Sequence, residues 1–221
     1  MNKILVISPH FDDAVLSAGQ FIADRPDADV VTVFAGLPLT PDNVLTPYDE
    51  KCGFESARDA VGERTRENDN ALALLNAVPI NLDFPDSQYD TGLANSVHVD
   101  HIVEALQNIV DENHYEFIMA PLGLSHPDHI KVTDAVIRLK TKCPIYLWED
   151  MPVRVVDPLV VIPRLALFGL TPNKFWNTGI TDKNMAKKIR ALTCYKSQIG
   201  TGILDPYLMY VPERFWKYRD I

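Results

Sequence analysis

Two short segments of this chain bring together the residue types that hydrolytic chemistry needs: Pro9-His10-Phe11-Asp12-Asp13 near the start and His126-Pro127-Asp128-His129 past the middle. Imidazole nitrogen and carboxylate oxygen are both zinc ligands, and a catalytic zinc keeps one position open for water. Two histidines and one aspartate supply three ligands, and a remaining acidic residue can serve as general base toward the water. Adjacent aspartates repel, and a nearby cation relieves that cost. Each cluster alone also admits a plainer reading. Asp12-Asp13 could cap a helix, and His126-Pro127-Asp128 could be the turn that opens one. Two dense His/Asp clusters in one chain favour a metal.

Both clusters directly follow a predicted strand. Residues 3–8 read as a short buried strand, and 14–24 show apolar residues at helical spacing and stop before Pro26. Residues 29–35 are β-branched-rich and predict a second strand, joined by a right-handed crossover. Residues 36–60 hold Pro38, Pro41, Pro47 and Gly53 with little periodicity, and predict a long excursion that acts as lid or substrate wall. A helix is expected over 61–77, a strand over 79–84 and a turn-rich stretch from Phe84 to Gly92. Further helices are expected over 97–112 and 129–140, and further strands over 115–121 and 144–148. The tail from 199 carries Tyr207, Tyr210, Phe215, Trp216 and Tyr218 among prolines, and is expected to pack back onto the body. The alternation predicts a single α/β domain over 1–221, with a mainly parallel sheet and helices on both faces. Ligands of open α/β sheets gather at the carboxyl ends of strands, so the two clusters can converge there.

The bulk properties narrow the function. The chain has 221 residues, 47% of them hydrophobic and 23% charged, as in ordinary globular proteins. A formal net charge of -9 argues against nucleic acid as a partner. Cys52, Cys143 and Cys194 are odd in number, far apart and without a CxxC pair, which suits reduced thiols. The apolar run at the N-terminus is too short for a signal-peptide core, and no stretch reaches the ~18 apolar residues of a membrane span. A cytoplasmic setting is expected.

The segments PHFDD and HPDH resemble the two signatures of the LmbE-like, or PIG-L, zinc-dependent de-N-acetylases, whose fold is Rossmann-like. The likeness extends along nearly the whole chain. It includes Arg64 and Glu67 of an Arg-x-x-Glu helix, Asp86 of FPDS after the third strand, Glu149 of WEDMP, and the late helix KKIRALTCYKSQ. Carried over by position, the resemblance makes His10, Asp13 and His129 the ligands of Zn2+, with Fe2+ as the alternative ion. It makes Asp12 the general base. His126 steadies the oxyanion or protonates the leaving amine, and Asp128 orients His126. Arg64 and Asp86 become substrate-binding residues. The implied substrate is a small N-acetylated sugar or glycoside. The chain departs from the common pattern at Phe11, where proline is usual, and at Ala14, where glutamate often stands.

Other residues invite plainer readings. His98 and His101 lie at i, i+3 on a helix with no carboxylate motif around them and read as a surface face, and His114 suits a helix end. Arg64 could pair with Glu67 on its own helix. The C-terminal aromatics fit core packing better than a sugar-binding wall. Two other functions share the ligand set: a two-His-one-carboxylate Fe(II) oxygenase, and a metal-binding module without catalysis. Asp12 and His126 count against the second, since a metal holder needs neither.

Overall fold

The computed structural model describes residues 3–90, 97–171, 181–199 and 210–219. Tyr207 and its neighbours in the tail lie outside the described residues. Six strands form one sheet: β1 (Lys3–Ser8), β2 (Asp29–Thr32), β3 (Val78–Asn81), β4 (Tyr115–Pro121), β5 (Ile145–Trp148) and β6 (Phe215–Arg219). Around it lie α1 (Asp13–Ala23), α2 (Pro47–Lys51), α3 (Ala57–Leu75), α4 (Val99–Glu112) and α5 (Pro127–Val136). Then come α6 (Val153–Val156), α7 (Val161–Leu167), α8 (Asp182–Leu192) and α9 (Lys196–Ile199). The spatial order is β3-β2-β1-β4-β5-β6, with β1 to β5 mutually parallel and β6 antiparallel to β5. The chain steps outward from β1 to β3, then returns to lay β4 on the free edge of β1. That reversal is the switch point where α/β sheets open a crevice.

Alternation along β1 explains the two-sided core. Ile4 and Val6 pack on one face with residues of α1, α3 and α8. Leu5 and Ile7 pack on the other with residues of α4, α5 and α7. The expected α/β architecture with a mainly parallel sheet is what the structure has.

Several boundaries differ from expectation, each for a local reason. The helix expected from 61 begins at Ala57, because the Ser56 side chain accepts the Asp59 backbone N–H and caps it there. It ends where Asn76 turns left-handed at φ 55°. Regular pairing of β2 stops at Thr32, although Val33 and Phe34 still donate backbone bonds to Ser8 and Pro9. The excursion from 36 is not featureless. It contains α2, whose Thr46 cap accepts from the Asp49 N–H. Gly36 pairs with Pro85 in an isolated bridge, and a Cβ there would stand 2.5 Å from the Asp83 carbonyl carbon. The loop that carries Asp86 is thus held close against β2.

The tail does return to the body, and it adds a strand. Phe215 and Trp216 are buried in the core, whereas Tyr210 is exposed. Glu213 anchors the approach: it accepts the backbone N–H groups of Gln20 and Phe21 at 2.7 and 3.0 Å and pairs with the fully buried Lys188 at 2.9 Å. His98, His101 and His114 are exposed, as a surface reading requires. Cys52, Cys143 and Cys194 are all free. Among the described residues, no helix is long and apolar enough to cross a membrane.

Candidate active site

The first cluster occupies the turn between β1 and α1. Ser8 takes the local hydrogen bonds: its Oγ donates to the His10 carbonyl at 2.6 Å and accepts the Ala14 N–H at 3.0 Å. Asp12 stands at the N-cap position of α1, yet its side chain makes no capping bond. The capping explanation of Asp12 therefore does not hold. Asp13 folds back, so that its Oδ2 accepts the His10 backbone N–H at 2.8 Å. The second cluster occupies the turn between β4 and α5. There the plainer reading is half right: His126 caps α5, its Nδ1 accepting the Asp128 backbone N–H at 3.2 Å.

The two turns meet beside β1 and β4. Asp13 Oδ2 lies 3.2 Å from His10 Nδ1 and 3.1 Å from His129 Nε2. A tetrahedral ion with bonds of ~2.0–2.2 Å holds its ligand atoms about 3.3–3.6 Å apart, so Asp13 Oδ2 stands from each imidazole nitrogen at close to the spacing of two ligands on one ion. Ring nitrogens of His10, His126 and His129 also fall within 4.8 Å of one another. Because His126 Nδ1 already accepts a backbone N–H, the neutral ring carries its proton on Nε2 and is a donor there. That suits a hydrogen-bonding partner better than a ligand.

Each of the two facing histidines is braced on its other nitrogen. His10 Nε2 lies 3.2 Å from Asp128 Oδ2, and His129 Nδ1 lies 2.5 Å from Asp150 Oδ1. Such carboxylates fix which nitrogen keeps its lone pair for a metal. Asp128 therefore differs from the role expected of it. Its fully buried carboxylate holds His10 and the Ser87 N–H, and only its backbone reaches His126. In the WEDMP segment the family resemblance points to Glu149, but the residue that reaches the cluster is its neighbour Asp150. Glu149 turns away from the cluster, to Arg154 and Trp216 Nε1 at 3.2 Å each. Asp150 follows β5 at the same sheet edge as both motifs, and that placement was the signal available. Its Oδ2 also accepts the N–H groups of Gly123 and Leu124 at 2.9 and 3.1 Å. Gly123 has φ +79°, and a Cβ there would meet Thr133 Oγ1 at 2.5 Å.

The charges follow the geometry. Burial alone would lower the pKa of His10, but Asp86, Asp128 and Asp13 outweigh it and raise it well above its ordinary value. His129, with burial likewise opposed by Asp13 and Asp150, is raised to about 10. Burial disfavours the Asp13 carboxylate, yet His129 and His10 hold it below the usual range. Burial, and then the neighbouring Asp13, push Asp12 up to about 7. Burial, then His10 and His129, lower His126. The acids around the two imidazoles thus demand positive charge at this spot, which a divalent cation supplies. The donor set of two imidazoles and a carboxylate fits zinc or Fe2+.

A cavity of about 440 Å³ opens over the cluster and is lined by His10, Asp12, Asp13, His126 and His129. Arg64 and Asp86 line it as well, with Tyr48 of α2 and Gln88 beside them. Arg64 does not pair with Glu67. It meets Asp49 at 2.8 Å and lies against the rings of Tyr48 and Phe54, while Glu67 accepts from Ser197. Phe11, Leu16, Met151, Pro152 and Val153 supply its apolar lining, and Gln198 of α9 also contributes.

Known proteins share this arrangement of elements. The A40926 pseudoaglycone deacetylase Dbv21 is 26% identical, with a TM-score of 0.79 over 100% of this chain and 99% of that one. A deacetylase of teicoplanin biosynthesis, solved in complex with teicoplanin, is 25% identical, with a TM-score of 0.75 over 97% of each chain. GalB, the 4-carboxy-2-hydroxymuconate hydratase from Pseudomonas putida KT2440, is 18% identical, with a TM-score of 0.62 over 95% of this chain and 83% of that one. At that identity the likeness is one of fold, and the fold alone does not select a reaction. No curated protein matches the chain by sequence. Residues 5–140 match PIG-L, the GlcNAc-PI de-N-acetylase family, and with both motifs inside that span the chain belongs to this family.

Proposed function

We propose that this protein hydrolyses the N-acyl amide of an amino sugar or glycoside, an acetyl or related group, with zinc held by His10, Asp13 and His129. The observation that carries the reading is the meeting of Asp13 Oδ2 with His10 Nδ1 and His129 Nε2, at 3.2 and 3.1 Å, on the floor of a cavity that also holds Asp12 and His126. Zinc bound by such a set acidifies water and polarises a carbonyl oxygen. Asp12, which caps nothing, takes the proton of the attacking water. His126, neutral and protonated on Nε2, donates to the carbonyl oxygen as negative charge gathers there. Asp128 and Asp150 hold the two histidine ligands in register from behind. Asp86 and Arg64 stand in the wall where sugar hydroxyls would lie. The family and the deacetylases of similar fold support amide hydrolysis over the hydration that GalB performs.

The test is acetate and free-amine release from a panel of N-acetylated sugars and glycosides, with zinc-loaded, iron-loaded and metal-stripped protein. Release that requires the metal supports the reading. No release from any substrate by the loaded protein sinks it. Asp12→Asn keeps the size of the side chain and removes its basicity, so turnover should fall about 10²–10⁴-fold with zinc retained. Full activity in that variant removes Asp12 from the base role.

A further inference from the structure

We propose that the acyl group removed is longer than acetyl, an unbranched alkyl chain lying against Phe11, Leu16, Met151, Pro152 and Val153. This deepens the amide-hydrolase reading and rests on it. The argument comes from the order of the strands. The reacting centre sits over β1 and β4, in the middle of the sheet. The loop after β3 lies to one side and brings Asp86 and Gln88 to the cavity, and α3, which packs against β3, brings Arg64. The loop after β5 lies on the other side and brings Met151, Pro152 and Val153; the Met151 N–H donates to Ser17 Oγ at 3.1 Å, which sets this loop against the start of α1, where Phe11 and Leu16 also line the cavity. The cavity therefore has a polar flank and an apolar flank, with the cluster between them.

An amide placed at that cluster has one half on each flank. Its hydroxyl-bearing amine half is matched by the carboxylate, amide and guanidinium side chains. Its acyl half is then directed over β5, against five apolar side chains. A single methyl would leave most of that wall facing water, at a cost in unburied apolar surface. Phe11 adds to this chain's own version of the wall, and the cavity of about 440 Å³ lies within the range that encloses ligands well above monosaccharide size. In the reaction the water oxygen bonds to the carbonyl carbon and the C–N bond breaks. The acyl half leaves as a carboxylate and the amine takes up a proton, so water is the only co-reactant.

The experiment uses the zinc-loaded protein and one amine, glucosamine, carrying an acetyl, butanoyl, hexanoyl or octanoyl group. Each buried methylene contributes about fourfold to kcat/KM, so hexanoylglucosamine should exceed acetylglucosamine by more than tenfold. Val153→Asp should shrink that ratio. In parallel, calorimetry on the metal-stripped protein compares binding of octanoyl- and acetylglucosamine, with tighter binding of the octanoyl compound expected. A preference for acetyl in both measurements overturns the longer acyl chain and leaves the amide-hydrolase reading standing. If no member of this series and no member of the wider panel of sugars and glycosides is hydrolysed, the amide-hydrolase reading fails and the acyl assignment with it. The calorimetry then still shows whether the apolar flank takes an alkyl chain.

Discussion

Replacing Asp150 by asparagine tests the site at a residue that touches neither substrate nor metal. Asp150 serves two sets of donors: Oδ2 accepts two backbone N–H groups, from Gly123 and Leu124, and Oδ1 faces His129 Nδ1 at 2.5 Å. An asparagine has one oxygen to place. Set toward the backbone it satisfies two donors, and set toward His129 it satisfies one, so the amide nitrogen turns toward His129. That nitrogen donates, which makes Nδ1 an acceptor and moves the ring proton to Nε2, the atom facing Asp13 at 3.1 Å. To bind zinc, His129 must then return its proton to Nδ1 against a facing donor. Losing a hydrogen bond to a charged group costs about 1.5–3 kcal/mol, and a buried unpaired donor about 1–3 kcal/mol. With partial relaxation the total is about 2–4 kcal/mol, or roughly 30- to 900-fold in zinc affinity. Asp150→Ala differs, because it strips both backbone N–H groups of their acceptor and should destabilise the metal-free fold by about 2–6 kcal/mol. Competition with a fluorescent zinc chelator measures the affinity, urea unfolding of the metal-free proteins measures the stability, and nitrogen NMR of the imidazole reads the tautomer. If Asp150→Asn binds zinc within about twofold of the wild type, or keeps Nε2 unprotonated, the bracing argument is wrong.

Asp13→Ala removes the carboxylate shared by both imidazoles, so metal analysis should show severe loss of zinc, with activity partly restored by excess zinc. Retention of stoichiometric zinc would reverse the roles given to Asp12 and Asp13. Glu213→Ala leaves the Lys188 ammonium buried and unpaired and the N–H groups of Gln20 and Phe21 without their acceptor. It should lower unfolding free energy by about 3–5 kcal/mol, read as a shift of the urea midpoint. Chelation should lower the melting temperature of the zinc-loaded protein, since a ligand bound only by the native state stabilises it by about 2.7 kcal/mol at a hundred times its Kd. The same chelator should leave Asp13→Ala unmoved.

The strand–helix alternation and the two His/Asp motifs were legible in the chain because both are local. A buried parallel strand reads as a continuous apolar run, and residues crowded into one strand-to-helix turn stay neighbours whatever the rest of the fold does. Ser56 and Thr46, as helix caps, were equally open to reading, and the earlier start of α3 follows from the first of them. The partners of each chemical group were not. His10 meets Asp128 from another turn, His129 meets Asp150 from a third, and Arg64 chooses Asp49 over the Glu67 one turn along its own helix. Those choices depend on strand order and on which loops the sheet sets side by side, and no periodicity carries that information. The last strand was hidden for a related reason: an aromatic run among prolines is as suited to covering a core as to pairing with an edge. What settled it was tertiary, a free edge on β5 and a buried lysine on α8 that holds Glu213.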